Sequence, residues 1–261
     1  MLPTMPLTEH LEVLRKMLWR LVCVLSVITV GVFCFKEEVF AILLAPKEYD
    51  FVTFRYIEAL LHRCGSAFVF EPYRVQLINT ELSGQFMAHL STSFYVAALL
   101  ASPYVLLELF GFVMPALYDH EKRLAVRVGA VMYGLFVVGV LMNYFVLFPI
   151  SFRFLGTYQV SDVVENTITL DSYISSFTTL TFMMGLVFQL PLVCWFLGRV
   201  GLITSDLMRR YRRHAFVAIM IVAAVITPPD LFTLGLVTVP LYLLYEVSIW
   251  VVRREGMNFI R

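Results

Sequence analysis

The chain has 261 residues, of which 60% are hydrophobic, 15% aromatic and 15% charged, with 20 Lys/Arg set against 19 Asp/Glu. Soluble domains usually carry about 25% charged and roughly 45–50% apolar residues, so this composition excludes an ordinary soluble enzyme and a disordered tail protein. The net charge of +1 offers no basic excess of the kind that nucleic-acid binding needs.

Charge-poor windows at 17–35, 84–107, 128–151, 172–198, 214–228 and 231–252 compare with the roughly 20 apolar residues that cross a bilayer as a helix. Backbone polar groups in hydrocarbon must be satisfied within the segment, and the alternating pattern of a membrane β-barrel is absent. The sequence therefore predicts an all-α polytopic membrane protein, residues 1–261 forming a single integral membrane domain with six transmembrane helices, two of them short, and an exoplasmic cap.

The first window carries Arg20 near its start, where a long side chain can snorkel to the interface. No small-residue cleavage site follows it, so it is expected to be a retained helix. The segment from Lys36 to Glu81 is long, and the apolar positions 56, 57, 60, 61 and 64 within it predict a helix that caps the bundle. In the fourth window Gln189 needs a polar partner, and Pro191 predicts a kink. The apolar part of the fifth, Ala215–Ile226, is 12 residues long, or ~18 Å of helix against a hydrocarbon core of ~30 Å. The sixth meets Glu246 only 15 residues after Leu231, so the pair reads as a short hairpin that thins the bilayer or is recessed in it. Four cysteines without a C-x-x-C pattern indicate neither a disulfide framework nor a zinc site.

Basic residues set the orientation. Fourteen of the 20 lie in the N-terminal region, the segments after the second and fourth windows and the C-terminus, with eight acids; the opposite face holds six basic and eleven acidic residues. Both termini are predicted to be cytoplasmic. His120-Glu121 lacks the second histidine of a zinc protease, and no G-x-S-x-G or Walker loop occurs, so no enzymatic activity is expected. That leaves a six-helix small-solute or ion permease, or a protein that recognises another macromolecule. A permease would be expected to show internal repeats or several intramembrane charges, and only Glu108, Gln189 and Glu246 stand near or within the windows.

Four segments in order, His10-Leu11-Glu12-Val13-Leu14-Arg15-Lys16, Phe112 to Arg123, Phe188-Gln189-Leu190-Pro191 and Thr227-Pro228-Pro229-Asp230, resemble TatC, the multi-spanning receptor of the twin-arginine protein translocase. The resemblance covers nearly the whole chain and implies a multi-pass inner (plasma) membrane protein, homo-oligomeric in a receptor complex, with lipid around it and no cofactor. It implies binding of the Arg-Arg signal peptides of folded precursors, work with single-span TatA- and TatB-type partners, and use of the proton-motive force. An arginine pair needs carboxylates for charge-assisted hydrogen bonds. By resemblance the signal-binding residues are Glu12, Arg15, Phe112, Glu121 and Arg123; Val13 stands where the family usually has an acid, so Glu12 or Glu9 would take its place. Gln189 is the implied contact for a partner helix, with Thr227, Pro228 and Asp230 beside the TatB-type site. Pro46, Pro115 and Pro191 are implied structural residues.

Overall fold

The computed structural model describes residues 7–65, 69–113, 122–159, 161 and 166–258, with side chains throughout these except at 7–10, 109–113, 122–127 and 254–258. The chain divides into two compact units, residues 1–40 with 83–134, and residues 41–82 with 135–261.

In the first unit, helix α1 (Leu7–Cys34) packs along α4 (Gly84–Val113). The buried face of α4 is made of small residues, Ala88, Thr92, Ser93, Ala97 and Ala101. Between helices in lipid, small side chains allow close backbone approach, so van der Waals packing replaces the hydrophobic drive that water supplies to soluble proteins. Met17 and Val32 of α1 are buried, and the Phe33 ring stacks on His89 at 4.0 Å. Pro103 lies within α4 and has no N–H to donate to the Leu99 carbonyl. The Ser102 hydroxyl donates to that carbonyl instead, at 2.6 Å.

The second unit opens with the cap. Helix α2 (Lys36–Leu44), which begins in the first unit, leads to a 3₁₀ turn over Ala45–Lys47 and then to α3 (Val52–Arg63). A two-residue strand β1 (Leu77–Ile78) pairs in parallel with β2 (Ile168–Thr169). The predicted cap helix is present, but its buried face is rotated from the expected one. Phe54 is 2% exposed, whereas Tyr56 and Leu60 are 69% and 61% exposed. Phe54 packs against Phe70 of the loop that follows, so aromatic contact rather than the count of apolar positions decides the face.

Helix α5 (Lys122–Met142) gives way to a π-helical turn, Asn143–Leu147, and then to α6 (Phe148–Thr157). In a continuous α-helix the Phe145 carbonyl would accept from residue 149, which is a proline. Thr53 of the cap donates its hydroxyl to that carbonyl. Tyr144 and Tyr173 donate to the Ile42 and Leu43 carbonyls, both at 2.9 Å, and Pro46 is fully buried.

The fourth predicted span is two helices, α7 (Leu170–Val187) and α8 (Leu190–Arg199). The break at Phe188-Gln189 is the disturbance expected from Pro191, and it tightens the ladder to a Gln189 N–H bond to the Leu186 carbonyl at 2.9 Å. Helix α8 ends in a Schellman turn, with Gly201 at φ +81° and the Leu202 N–H on the Leu197 carbonyl at 3.0 Å. A short α9 (Ser205–Arg210), capped by Thr204, precedes α10 (Arg212–Ile226) and α11 (Leu231–Asn258).

Five helical stretches are long and apolar enough to cross a membrane among the described residues, and α10, at 15 residues, is the short one. The sixth span, expected at 231–252, is part of α11, a single helix of 28 residues whose apolar stretch is Leu231–Arg253. Glu246 does not end it, because Arg212 neutralises the carboxylate at 2.7 Å and Tyr242 donates to its other oxygen at 3.2 Å. Helices α8 and α11 pack closely, with Val252 against Gly198, where an added Cβ would meet it at 3.1 Å.

Candidate functional site

The sequence-predicted residues divide into a signal-binding group and a partner-binding group. Of the first, Glu12 and Arg15 lie on α1. Glu12 pairs with Lys16 at 2.9 Å, and both side chains are more than half exposed. The hydrogen bond and charge of Lys16 hold the Glu12 carboxyl below the usual carboxylate range. Arg15 is exposed and borders a shallow apolar depression formed by Leu11, Leu14, Leu18, Trp19 and Val22. A carboxylate already ionised on an exposed helix face can exchange its lysine for an incoming guanidinium at little cost, because a surface i,i+4 pair contributes only ~0.3–0.5 kcal/mol.

Phe112 and Arg123 sit on α4 and α5 by their backbones, with side chains outside the described ones. Glu121 and Pro115 lie outside the described residues, as does Glu9 by its side chain.

Arg20 does more than the interfacial snorkelling expected of it. Its Nη1 donates to Glu108 Oε1 at 3.0 Å, and the Tyr104 hydroxyl donates to the same oxygen at 2.8 Å. This cluster was not assigned from sequence. The available signal was a marginal glutamate with a tyrosine four residues before it, and the same spacing recurs at Tyr242 and Glu246.

In the second unit, Gln189 is 9% exposed and its Nε2 donates to the Gly185 carbonyl at 3.4 Å. A second intramembrane polar group was missed. Asn143, fully buried in the π-helical turn, donates from Nδ2 to Thr181 Oγ1 at 2.8 Å, and the Thr181 hydroxyl donates in turn to the Phe177 carbonyl at 2.6 Å. The signal was an asparagine within the apolar window at 128–151. Thr227 is buried and its hydroxyl donates to the Ala223 carbonyl at 2.9 Å, Pro228 is half-buried, and Asp230 Oδ1 accepts from the Thr233 N–H at 2.6 Å. Asp230 is thus the N-cap of α11, supplying an acceptor to an otherwise unserved N–H.

On the cap, Arg153 of α6 stands over the rings of Phe54, Phe70 and Tyr73 at 5.0, 4.5 and 4.8 Å, and its Nη2 donates to the Glu71 carbonyl at 2.9 Å. Glu58 accepts from the Phe70 N–H at 2.8 Å. These contacts tether the part of the 36–81 segment that lies beyond α3.

Apolar helices with a few hydrogen-bonded polar groups inside them, and charged pairs near their ends, define a polytopic α-helical membrane protein. Residues 9–240 match the family described as Sec-independent protein translocase protein (TatC). Relatives bearing that name include one from Blattabacterium sp. subsp. Periplaneta americana, 34% identical over 95% of this chain and 94% of its own length. Another, from Helicobacter pylori (strain ATCC 700392 / 26695), is 32% identical over 95% of this chain and 87% of its own. The crystal structure of a twin-arginine translocase receptor TatC matches with a TM-score of 0.73 at 29% identity, covering 93% of this chain and 97% of that one. The chain belongs to the TatC family.

Proposed function

We propose that this protein is the receptor subunit of a twin-arginine translocase, binding Arg-Arg signal peptides and, with TatA- and TatB-type single-span partners, exporting folded proteins at the expense of the proton-motive force. The match to the TatC family over residues 9–240 carries the reading. The protein sits in the inner (plasma) membrane with both termini in the cytoplasm, a reading supported by the fourteen basic residues of one face against six of the other.

Glu121 and Glu12 receive the arginine pair. Their chemistry supports this role: carboxylates among basic residues form charge-assisted, geometrically specific bonds to guanidinium. Arg15, Phe112 and Arg123 border that site. Gln189, with Thr227, Pro228 and Asp230, meets the partner helices; an amide within a span is the kind of group that bonds a neighbouring polar side chain in lipid. Signal-peptide crosslinking in Glu121→Ala, Glu12→Ala and the double variant tests the first assignment, with loss expected in the double variant; wild-type crosslinking there would overturn it. Gln189→Ala is expected to lower crosslinking to a TatA-type helix, and unaltered crosslinking with normal export would remove Gln189 from the partner site.

A further inference from the structure

The second unit holds a cavity of about 300 Å³ whose lining departs from the rest of the bundle. Ser151, Ser172, Ser176 and Thr233 line it together with Asn166 and Thr167, and among the described residues none that lines it is charged. Elsewhere in this unit buried hydroxyls in helices are turned back onto their own backbone. Thr178, Thr181, Thr227, Thr238 and Ser248 each donate to the carbonyl four residues earlier at 2.6–2.9 Å. Ser151 and Thr233, 4% and 0% exposed, break that rule: neither hydroxyl oxygen has a hydrogen-bond partner. For Thr233 the reason is local, since α11 begins at Leu231 and the carbonyl four residues back lies outside the helix. Ser151 has the Leu147 carbonyl one turn behind it and does not use it.

Hydroxyls buried without a partner are costly in a membrane protein unless something polar meets them. Water needs a polar, roomy site with two to four partners and occupies ~30 Å³ at liquid density, so the cavity accommodates up to about ten molecules. An anionic or cationic ligand would find no counter-charge among the described lining residues. From Leu170, where α7 begins, the lining descends to Ser176 and Leu180, six and ten residues or ~9 and ~15 Å of helix, half the ~30 Å hydrocarbon core. Pro228, at the turn that follows the short α10, closes the same wall.

We propose that this cavity is a water-filled vestibule that carries solvent from the exoplasmic face about halfway into the membrane beside the α10–α11 turn, shortening the hydrocarbon barrier there. It adds to the translocase reading a hydrated site in the receptor itself.

The experiment uses the full chain in sealed membrane vesicles, with Cys23, Cys34, Cys64 and Cys194 replaced by alanine and single cysteines introduced as Ser176→Cys, Asp171→Cys and Thr179→Cys. Asp171 and Thr179 are exposed on α7, in its first turn and at the level of the cavity. A charged, membrane-impermeant methanethiosulfonate reagent is added to each face in turn, and unreacted thiol is counted after denaturation. Ser176→Cys is expected to react at least about tenfold faster than Thr179→Cys, because a thiol must be wet to ionise and react. It should react from the face that also modifies Asp171→Cys, so an inverted orientation would be recognised separately. Thr233→Leu, or Ser151→Leu if the first changes the gel-filtration profile, fills the cavity and is expected to return Ser176→Cys to the Thr179→Cys rate. Equal rates at the two positions, reaction of Ser176→Cys that survives filling, or reaction in detergent but not in vesicles, which would mean that lipid occupies the cavity, would each overturn the proposal.

Discussion

Arg212 and Glu246 meet at 2.7 Å between Nη2 and Oε2, and Tyr242, one helical turn before the glutamate, holds its other oxygen. The first unit contains the same device in Arg20, Glu108 and Tyr104. In both, a charged residue that could have ended a span is kept within its helix by a guanidinium from another helix and a phenol from its own. Because Arg212 and Glu246 are 46% and 33% exposed, solvent screens much of the attraction. Glu246→Gln is therefore expected to cost only about 1 kcal/mol in detergent-solubilised protein. Exchanging the two residues (Arg212→Glu with Glu246→Arg) should recover most of that loss in a thermal unfolding midpoint.

The Asn143–Thr181 bond behaves differently because it is buried. Thr181→Val leaves the Asn143 amide without its acceptor, and a loss of about 1–2 kcal/mol is expected. Asn143→Leu combined with Thr181→Val removes both partners and should cost less than the sum of the single changes. A double-mutant cycle on unfolding midpoints measures that coupling, and additivity would show that the two side chains do not act together.

Close helix approach puts a stricter demand on two glycines. A Cβ at Gly139 would lie 2.5 Å from the Met184 carbonyl oxygen, and one at Gly185 would lie 2.5 Å from the Phe136 ring. Backbone cannot yield as a ring can. Gly139→Ala is expected to destabilise by about 2–3 kcal/mol, at the upper end for overpacking, and to lower the folded yield. Gly185→Ala should be rescued in part by Phe136→Leu, whereas no side-chain change rescues Gly139→Ala.

The Arg153 cage predicts a pH effect on the cap. Burial pushes the Tyr73 hydroxyl up to about 12, against the lowering influence of Arg153. An unfolded tyrosine titrates near ~10, so the folded cap holds its proton more tightly than the unfolded one. The stability this contributes is complete below pH ~10 and is lost as the pH rises towards the folded value. Proteolysis of the loop at residues 69–76 is expected to accelerate over that window in the native protein, and Tyr73→Phe should remove the acceleration. Arg153→Ala should speed cleavage at neutral pH by about tenfold, taking ~1–2 kcal/mol for the aromatic contacts and assuming cleavage of a rapidly opening state.

Much of the cap was legible in part. The run from Tyr56 to Arg63 announced a helix by its period, yet the face it buries was misread, since nothing local says that Phe70 and Arg153 come to meet Phe54. Pro191 was legible as a break because a missing N–H acts within one turn of its own chain. Asn143 was harder to read, since one polar residue in an apolar window gives no indication of its partner on another helix. Glu121, the acid on which the signal-binding proposal most depends, lies outside the described residues; its assignment comes from the motif around it.

The sequence by itself determined that the chain is a helical membrane protein, how its basic residues are distributed along it and to which family it belongs. Apolar length, charge count and motif order are properties of consecutive residues and need no neighbour. Only the tertiary structure decided that Glu246 lies inside a helix of 28 residues, that Thr53 serves the carbonyl Pro149 leaves free, and that Ser151 and Thr233 share one cavity. Each of these depends on helices distant in sequence packing together, which no run of consecutive residues specifies.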